Sequence, residues 1–159
     1  MILLVAEKPS VAREHYQKML QRVAQESFVQ RDGYLEGKKY CITWCVGHLV
    51  TLAAFDSYDG YEGSWKLGTL PLIPDNYKLQ VIERTQKQHH IVHHLMTQAD
   101  TLINGADAGR EGNLIFDLIL DQDPRLKQKR VQRLWVNSYV DKDLDVAWSK
   151  LETAQAREN

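Results

Sequence analysis

The sequence predicts an α/β domain built on a mainly parallel, Rossmann-like sheet flanked by helices, and three observations predict it. The chain opens on a continuous apolar run, Ile2-Leu3-Leu4-Val5-Ala6, the mark of a strand buried on both faces. Short apolar runs then alternate with stretches of helical periodicity, at the spacing of right-handed strand–helix–strand crossovers. Finally, 43% apolar and 26% charged residues over 159 positions are ordinary globular usage, enough for a core and unlike a disordered, collagen-like or low-complexity chain. The length suits a single domain spanning residues 1–159.

The elements follow in order. After the first strand, Glu7-Lys8-Pro9-Ser10 turns the chain into a helix whose Ala12, Tyr16, Met19, Leu20 and Val23 recur at three and four, with Pro9 or Ser10 in its first turn. Residues 28–30 and 40–46 read as strands of a hairpin-like pair joined by a turn-rich segment, 32–39. Gly47-His48-Leu49 leads into a short apolar stretch ending near Ala54, and residues 56–76 show no periodicity. Residues 77–82 alternate as a strand. Residues 87–98 form a helix with Ile91, Val92, Leu95, Met96 and Ala99 on its inner side. A buried strand at 101–104 and a loop at 105–112 precede a helix apolar most of the way round, expected to be buried. A strand at 131–136 and a helix capped by Asp141, with Leu144, Trp148 and Leu151 inward, complete the chain.

Twenty basic and twenty-one acidic side chains give a net charge of -1, so contact with nucleic acid has to be local or metal-bridged. No apolar run approaches the roughly 20 residues of a spanning helix, and residues 1–5 are too short and lack the basic start of a signal peptide. The expectation is a cytoplasmic protein with no membrane partner. Cys41 and Cys45, four apart on one strand, lie roughly 13 Å from each other, beyond disulfide reach, and are expected to be reduced core thiols.

Ligands of parallel α/β sheets bind beyond the carboxyl ends of the strands. That rule selects the loop at Glu7-Lys8 and the loop Asp107-Ala108-Gly109-Arg110-Glu111-Gly112. In the second, Gly105, Gly109 and Gly112 permit tight turning, while Asp107 and Glu111 place two carboxylates four residues apart, with Glu7 a third. Hard oxygens at a strand end suit magnesium, which needs only one or two protein carboxylates. The plainer alternative is that both acids favour a helix N-terminus through its dipole. A phosphate-binding P-loop is excluded because Arg110-Glu111-Gly112-Asn113 stands where Gly-Lys-Ser/Thr is needed, and a dinucleotide fingerprint because two carboxylates would repel a pyrophosphate.

Five motifs, Ile2-Leu3-Leu4-Val5-Ala6-Glu7-Lys8-Pro9-Ser10-Val11-Ala12, Val46-Gly47-His48-Leu49, Leu70-Pro71-Leu72-Ile73-Pro74, Asp107-Ala108-Gly109-Arg110-Glu111-Gly112 and Arg133-Leu134-Trp135, resemble in order and spacing the Toprim domain of the type IA topoisomerases of the topoisomerase III kind. The resemblance implies a Toprim fold in an N-terminal fragment of a longer bacterial enzyme, in which a tyrosine attacks one DNA strand, stays linked to the 5′ phosphate and later religates it. It implies that Glu7 handles the proton on the 3′ oxygen and that Lys8 contacts the scissile phosphate. Asp107 and Glu111, with Glu7, are implied to hold Mg2+, and Arg110 to join Lys8 in binding DNA phosphate. Gly109 stands where many type IA enzymes carry a middle Asp, and Asn137-Ser138 where a Ser-Ser pair is common. None of the tyrosines at 16, 34, 40, 58, 61, 77 and 139 sits in the nucleophile's context, so the nucleophile and the remaining domains are expected elsewhere in the parent. The implied partners are single-stranded DNA segments and those domains. A free-standing Toprim nuclease with metal-activated water is the first alternative, and a non-catalytic partner-binding domain the second.

Other groups have plainer readings. His89, His90, His93 and His94 offer helical pairs that two imidazoles could use for zinc, yet they fall opposite the apolar face and read as a solvated side. His48 reads as a loop-organising group, Tyr58, Tyr61 and Trp65 as pins for the long loop, Arg133 and Trp135 as locks on the last strand, and Lys127, Lys129 and Arg130 as solvated surface.

Overall fold

In the computed structural model, which describes residues 1–61, 63, 67–71 and 73–153, two runs of apolar residues lie side by side at the centre of the sheet. β1 (Ile2–Ala6) pairs in parallel with β4 (Tyr40–Trp44) on one side and β7 (Thr101–Gly105) on the other. β7 pairs in parallel with β8 (Arg130–Arg133), and the seven-stranded order is β2 (Val29–Arg31), β3 (Tyr34–Glu36), β4, β1, β7, β8, β9 (Glu152–Thr153). Leu3, Leu4 and Ala6 have no exposed surface and Val5 almost none, as a central strand covered on both faces requires. The predicted mixed α/β class with a mostly parallel sheet is what the structure shows.

The sheet edges depart from the expectation. The turn-rich segment contains a strand of its own, so β2 (Val29–Arg31), β3 (Tyr34–Glu36) and β4 form an antiparallel meander in place of one hairpin pair. Three residues are too few to show alternation. At the other edge β9 (Glu152–Thr153) adds antiparallel to β8. A separate ribbon joins β5 (Val50–Leu52) to β6 (Leu79–Val81).

Helices cover both faces. On one lie α1 (Gln17–Ala24), entered through a π-helical segment, Val11–Tyr16, and α5 (Asp141–Ser149). Their Ala12, Tyr16, Met19, Leu20 and Leu144 pack on Leu4, Ile42 and Ile103. Val23, expected inside, is exposed in the last turn of α1. Asp141 is the first helical residue, not the cap, and pairs with Arg22 at 3.1 Å. On the other face α2 (Gln86–Gln98), α3 (Arg110–Asp121) and the short α4 (Pro124–Lys127) pack on Leu3, Val5 and Leu102. α3 is amphipathic, not wholly buried: Ile115, Phe116 and Ile119 face the core while Leu114 is half exposed. Cys41 and Cys45 are free, buried thiols pushed up to about 12 by burial.

Several plain readings hold in modified form. The Tyr58 hydroxyl accepts the backbone N–H of Lys78 at 2.9 Å, which pins the long loop, and Tyr61 packs edge-on against Phe55; Trp65 lies outside the described residues. Lys129 is not simply solvated, since its ammonium caps the end of α2 by donating to the carbonyls of Thr97 (2.7 Å) and Ala99. Among the described residues no helix is long and apolar enough to cross a membrane.

Candidate metal and phosphodiester site

The parallel register sets Ala6 beside Gly105, so the residues that leave β1 and β7 emerge together at the carboxyl edge of the sheet. Glu7 follows β1 directly. Its Oε2 accepts the backbone N–H of Asp107 at 3.1 Å, which ties the two strand ends. The close approach depends on glycine, though not for turning: a Cβ at Gly105 would lie 2.8 Å from Leu4 and 2.9 Å from the Tyr16 ring, and one at Gly112 only 2.3 Å from the Asp107 carbonyl oxygen. The expectation that these glycines serve a tight turn is therefore corrected to one of close packing.

Arg133 underpins the loop. It is 7% exposed, and its guanidinium donates to the carbonyls of Asn104 (2.9 Å), Ala106 (2.8 Å), Asp107 (2.9 Å) and Leu134 (3.2 Å). Asn104 Oδ1 accepts the Ala106 N–H at 3.0 Å, and the buried Tyr16 hydroxyl donates to the Gly105 carbonyl at 2.5 Å. The carbonyls of Asn104, Gly105, Ala106 and Asp107 are thus each held by a side chain from another element. Arg133, expected as a lock on the last strand, faces the protein interior and holds the 104–107 segment.

Above this base lie the charged groups. Lys8 Nζ stands 3.4 Å from Asp107 Oδ2 and 3.6 Å from Glu7 Oε1, and the Asp107 carboxylate, followed by Glu7, raises its pKa. The other Asp107 oxygen, Oδ1, accepts the Tyr139 hydroxyl at 2.6 Å. Tyr139 stacks on His15 with ring centroids 4.7 Å apart, and its phenol is raised first by burial and then by the bond to Asp107. Nothing in the sequence marked Tyr139 as part of this site, because its partners lie on distant elements.

The predicted site residues therefore divide. Glu7, Lys8 and Asp107 come together. Glu111, in the first turn of α3, does not join them: its side chain is 82% exposed and 3.8 Å from His48 Nε2. Arg110 is exposed at the start of the same helix. No cluster of three or more metal-ligating side chains forms among the described residues. The donor chemistry still fits a hard cation, because one oxygen each of Glu7 and Asp107 already converges on a single positive centre, the Lys8 ammonium. Two carboxylates are enough for an ion that keeps most of its water.

The model of the Toprim domain family matches residues 2–139. The chain is 40% identical over 159 residues to DNA topoisomerase 3 of Bacillus thuringiensis (strain Al Hakam) and 39% identical to that of Bacillus subtilis (strain 168), in each case over 99% of this chain and 21% of the relative. The chain thus spans about a fifth of the length of these curated relatives. Full-length topoisomerase I from Thermotoga maritima has a similar fold, with a TM-score of 0.54, 16% identity, and coverage of 95% of this chain and 21% of that one. Toprim domains of topoisomerases bind metal, in keeping with the paired acids at the ends of β1 and β7. A family match across most of the sequence, joined to the mostly parallel sheet and its acidic edge, establishes that the chain belongs to the Toprim domain family.

Proposed function

We propose that residues 1–159 form the Toprim domain of a cytoplasmic type IA DNA topoisomerase of the topoisomerase III kind, supplying the acidic half of a site that cleaves, passes and religates single-stranded DNA. The observation that carries this reading is the convergence of Glu7 and Asp107 on one cation position, with Lys8 placed between them. In the proposed reaction a tyrosine oxygen of another domain forms a bond to phosphorus as the bond to the 3′ oxygen breaks. Glu7, 13% exposed and fixed by the Asp107 N–H, takes up the proton that the attacking tyrosine hydroxyl sheds, passes it to that leaving oxygen, and reverses the transfer on religation. Lys8 turns from the carboxylates to the phosphate and offsets its growing charge, and exposed Arg110 binds a neighbouring phosphate. Glu7 and Asp107 would hold Mg2+, with Glu111 free to swing in, and the bound ion would supply the positive charge that lets a phosphodiester approach these acids.

The tyrosines of this chain do not supply the nucleophile. Tyr139, which touches the site, has its hydroxyl committed to Asp107 and its ionisation suppressed. The chain alone is therefore expected neither to relax supercoiled plasmid nor to become covalently attached to it in magnesium. The test is incubation of the pure chain with plasmid, scoring nicked, relaxed and protein-linked forms. Magnesium-dependent nicking that Asp107→Ala abolishes would overturn the topoisomerase reading in favour of the nuclease.

A further inference from the structure

The four histidines of α2 are not one solvated face. The structure separates them into two pairs of different character. His89 and His93 turn toward the link between α3 and α4, where their Nε2 atoms lie 2.7 Å from Gln122 Oε1 and 3.1 Å from Asp123 Oδ2. Both rings are half-buried and partnered. His90 and His94 are exposed, stack with centroids 6.4 Å apart at 11°, and form no ring hydrogen bond or ion pair among the described residues.

Spacing of four on a helix sets two side chains one above the other, the arrangement by which two imidazoles bind one ion. The helix is also a stable base for them. It runs for 13 residues, and Val92, Leu95 and Met96 on its opposite side are anchored in the core. Side chains four apart on a helix share one side, so side-chain rotation can aim one nitrogen of each ring at a common point. No carboxylate on α2 is one turn away: Gln86 and Gln98 flank the pair, and Lys87 is tied to Asp32 at 2.7 Å.

We propose that His90 and His94 form a two-imidazole chelate for a borderline divalent transition ion, of the Cu2+, Ni2+ or Zn2+ class. An all-nitrogen site of this kind discriminates against magnesium, which prefers oxygen, so the domain carries two metal positions sorted by ligand hardness. The ion keeps open positions for water or another donor. The site is independent of the strand-end acids, so its success or failure leaves the topoisomerase reading untouched.

Cu2+, the strongest binder of that class at such ligands, is the probe. The chain would be titrated at neutral pH with magnesium in large excess, reading affinity together with the nitrogen couplings in the electron paramagnetic resonance spectrum. The expected result is a dominant site with two equivalent imidazole nitrogens, insensitive to magnesium. His90→Asn or His94→Asn should weaken it by roughly a hundredfold, since the second ligand binds intramolecularly, with no change in thermal unfolding. His89→Asn and His93→Asn should leave it within a few-fold. Binding that survives both exposed-pair variants, or that shows a single coordinated imidazole, would overturn the proposal.

Discussion

Asp107 and Glu111 lie four residues apart, yet they occupy opposite physical situations. Asp107 leaves the end of a central strand: its N–H is held by Glu7, its carbonyl by Arg133 and its carboxylate by Lys8 and Tyr139. Glu111 sits exposed on the first turn of a helix, and its nearest charged neighbour among the described residues is His48 at 3.8 Å. A strand end in a parallel sheet inherits the rigidity of its neighbours, because pairing fixes where the next residue must go. A side chain on an exposed first turn inherits only a direction. The acidic site is therefore half built and half adjustable, and the difference can be tested from the rigid side first.

The largest effect should come from removing the support. Arg133→Met leaves several buried carbonyls without their charged donor, and with about 1–3 kcal/mol for each unsatisfied group, not fully additive, a loss of about 3 kcal/mol is expected in urea unfolding. Arg133→Lys should recover only part of it, because one ammonium cannot reproduce the planar fork. Full stability in Arg133→Met would mean that pairing of β7 with its neighbours suffices to hold the loop.

The next effect separates the two acids directly. Binding of Mg2+ to the isolated chain is expected to be weak, on the order of millimolar. Asp107→Asn should lower it about tenfold or more, while Glu111→Gln should change it no more than about twofold in the absence of DNA, as calorimetry would show. Equal losses would show that Glu111 already belongs to the bound state.

The smallest effect sharpens the comparison by adding a rigid ligand. Gly109 has an extended backbone (φ 161°, ψ 173°), and a Cβ there would meet nothing within 4 Å, so a side chain is accepted without strain. Gly109→Asp should keep the melting temperature and strengthen Mg2+ binding by about three- to tenfold, through a further hard oxygen near the site. Unchanged affinity would mean that position 109 points away from the cation.

Much of the site was legible before the structure. The apolar run that makes β1 and the short strand at β7 mark two buried parallel neighbours, and the strand-end rule then selects the loops that carry Glu7 and Lys8 and, from 107 to 112, Asp107, Arg110 and Glu111, without telling that Glu111 stays apart. Spacing on a helix put all four histidines of α2 on the side away from the apolar face, without separating His90 and His94 from His89 and His93. Less legible were features set by contacts distant in sequence. Tyr139 lies 32 residues from Asp107 and carries no local signal of its role. β3 is too short for periodicity, and the exposure of Leu114 depends on which side of α3 the sheet covers.

By itself, then, the sequence determined the mixed α/β class, the covered central strand and the identity of the acids at its end, because burial on two faces and strand-end chemistry leave local marks in residue type and period. Only the tertiary structure decided that Lys8 stands between Glu7 and Asp107, that Tyr139 and Arg133 hold the Asp107 loop, that Glu111 remains apart, and that two of the four histidines of α2 are exposed while the other two pack against Gln122 and Asp123. Those outcomes depend on which elements pack together across long stretches of chain. No local pattern encodes such distances; they are set when the strands pair and the helices settle on them.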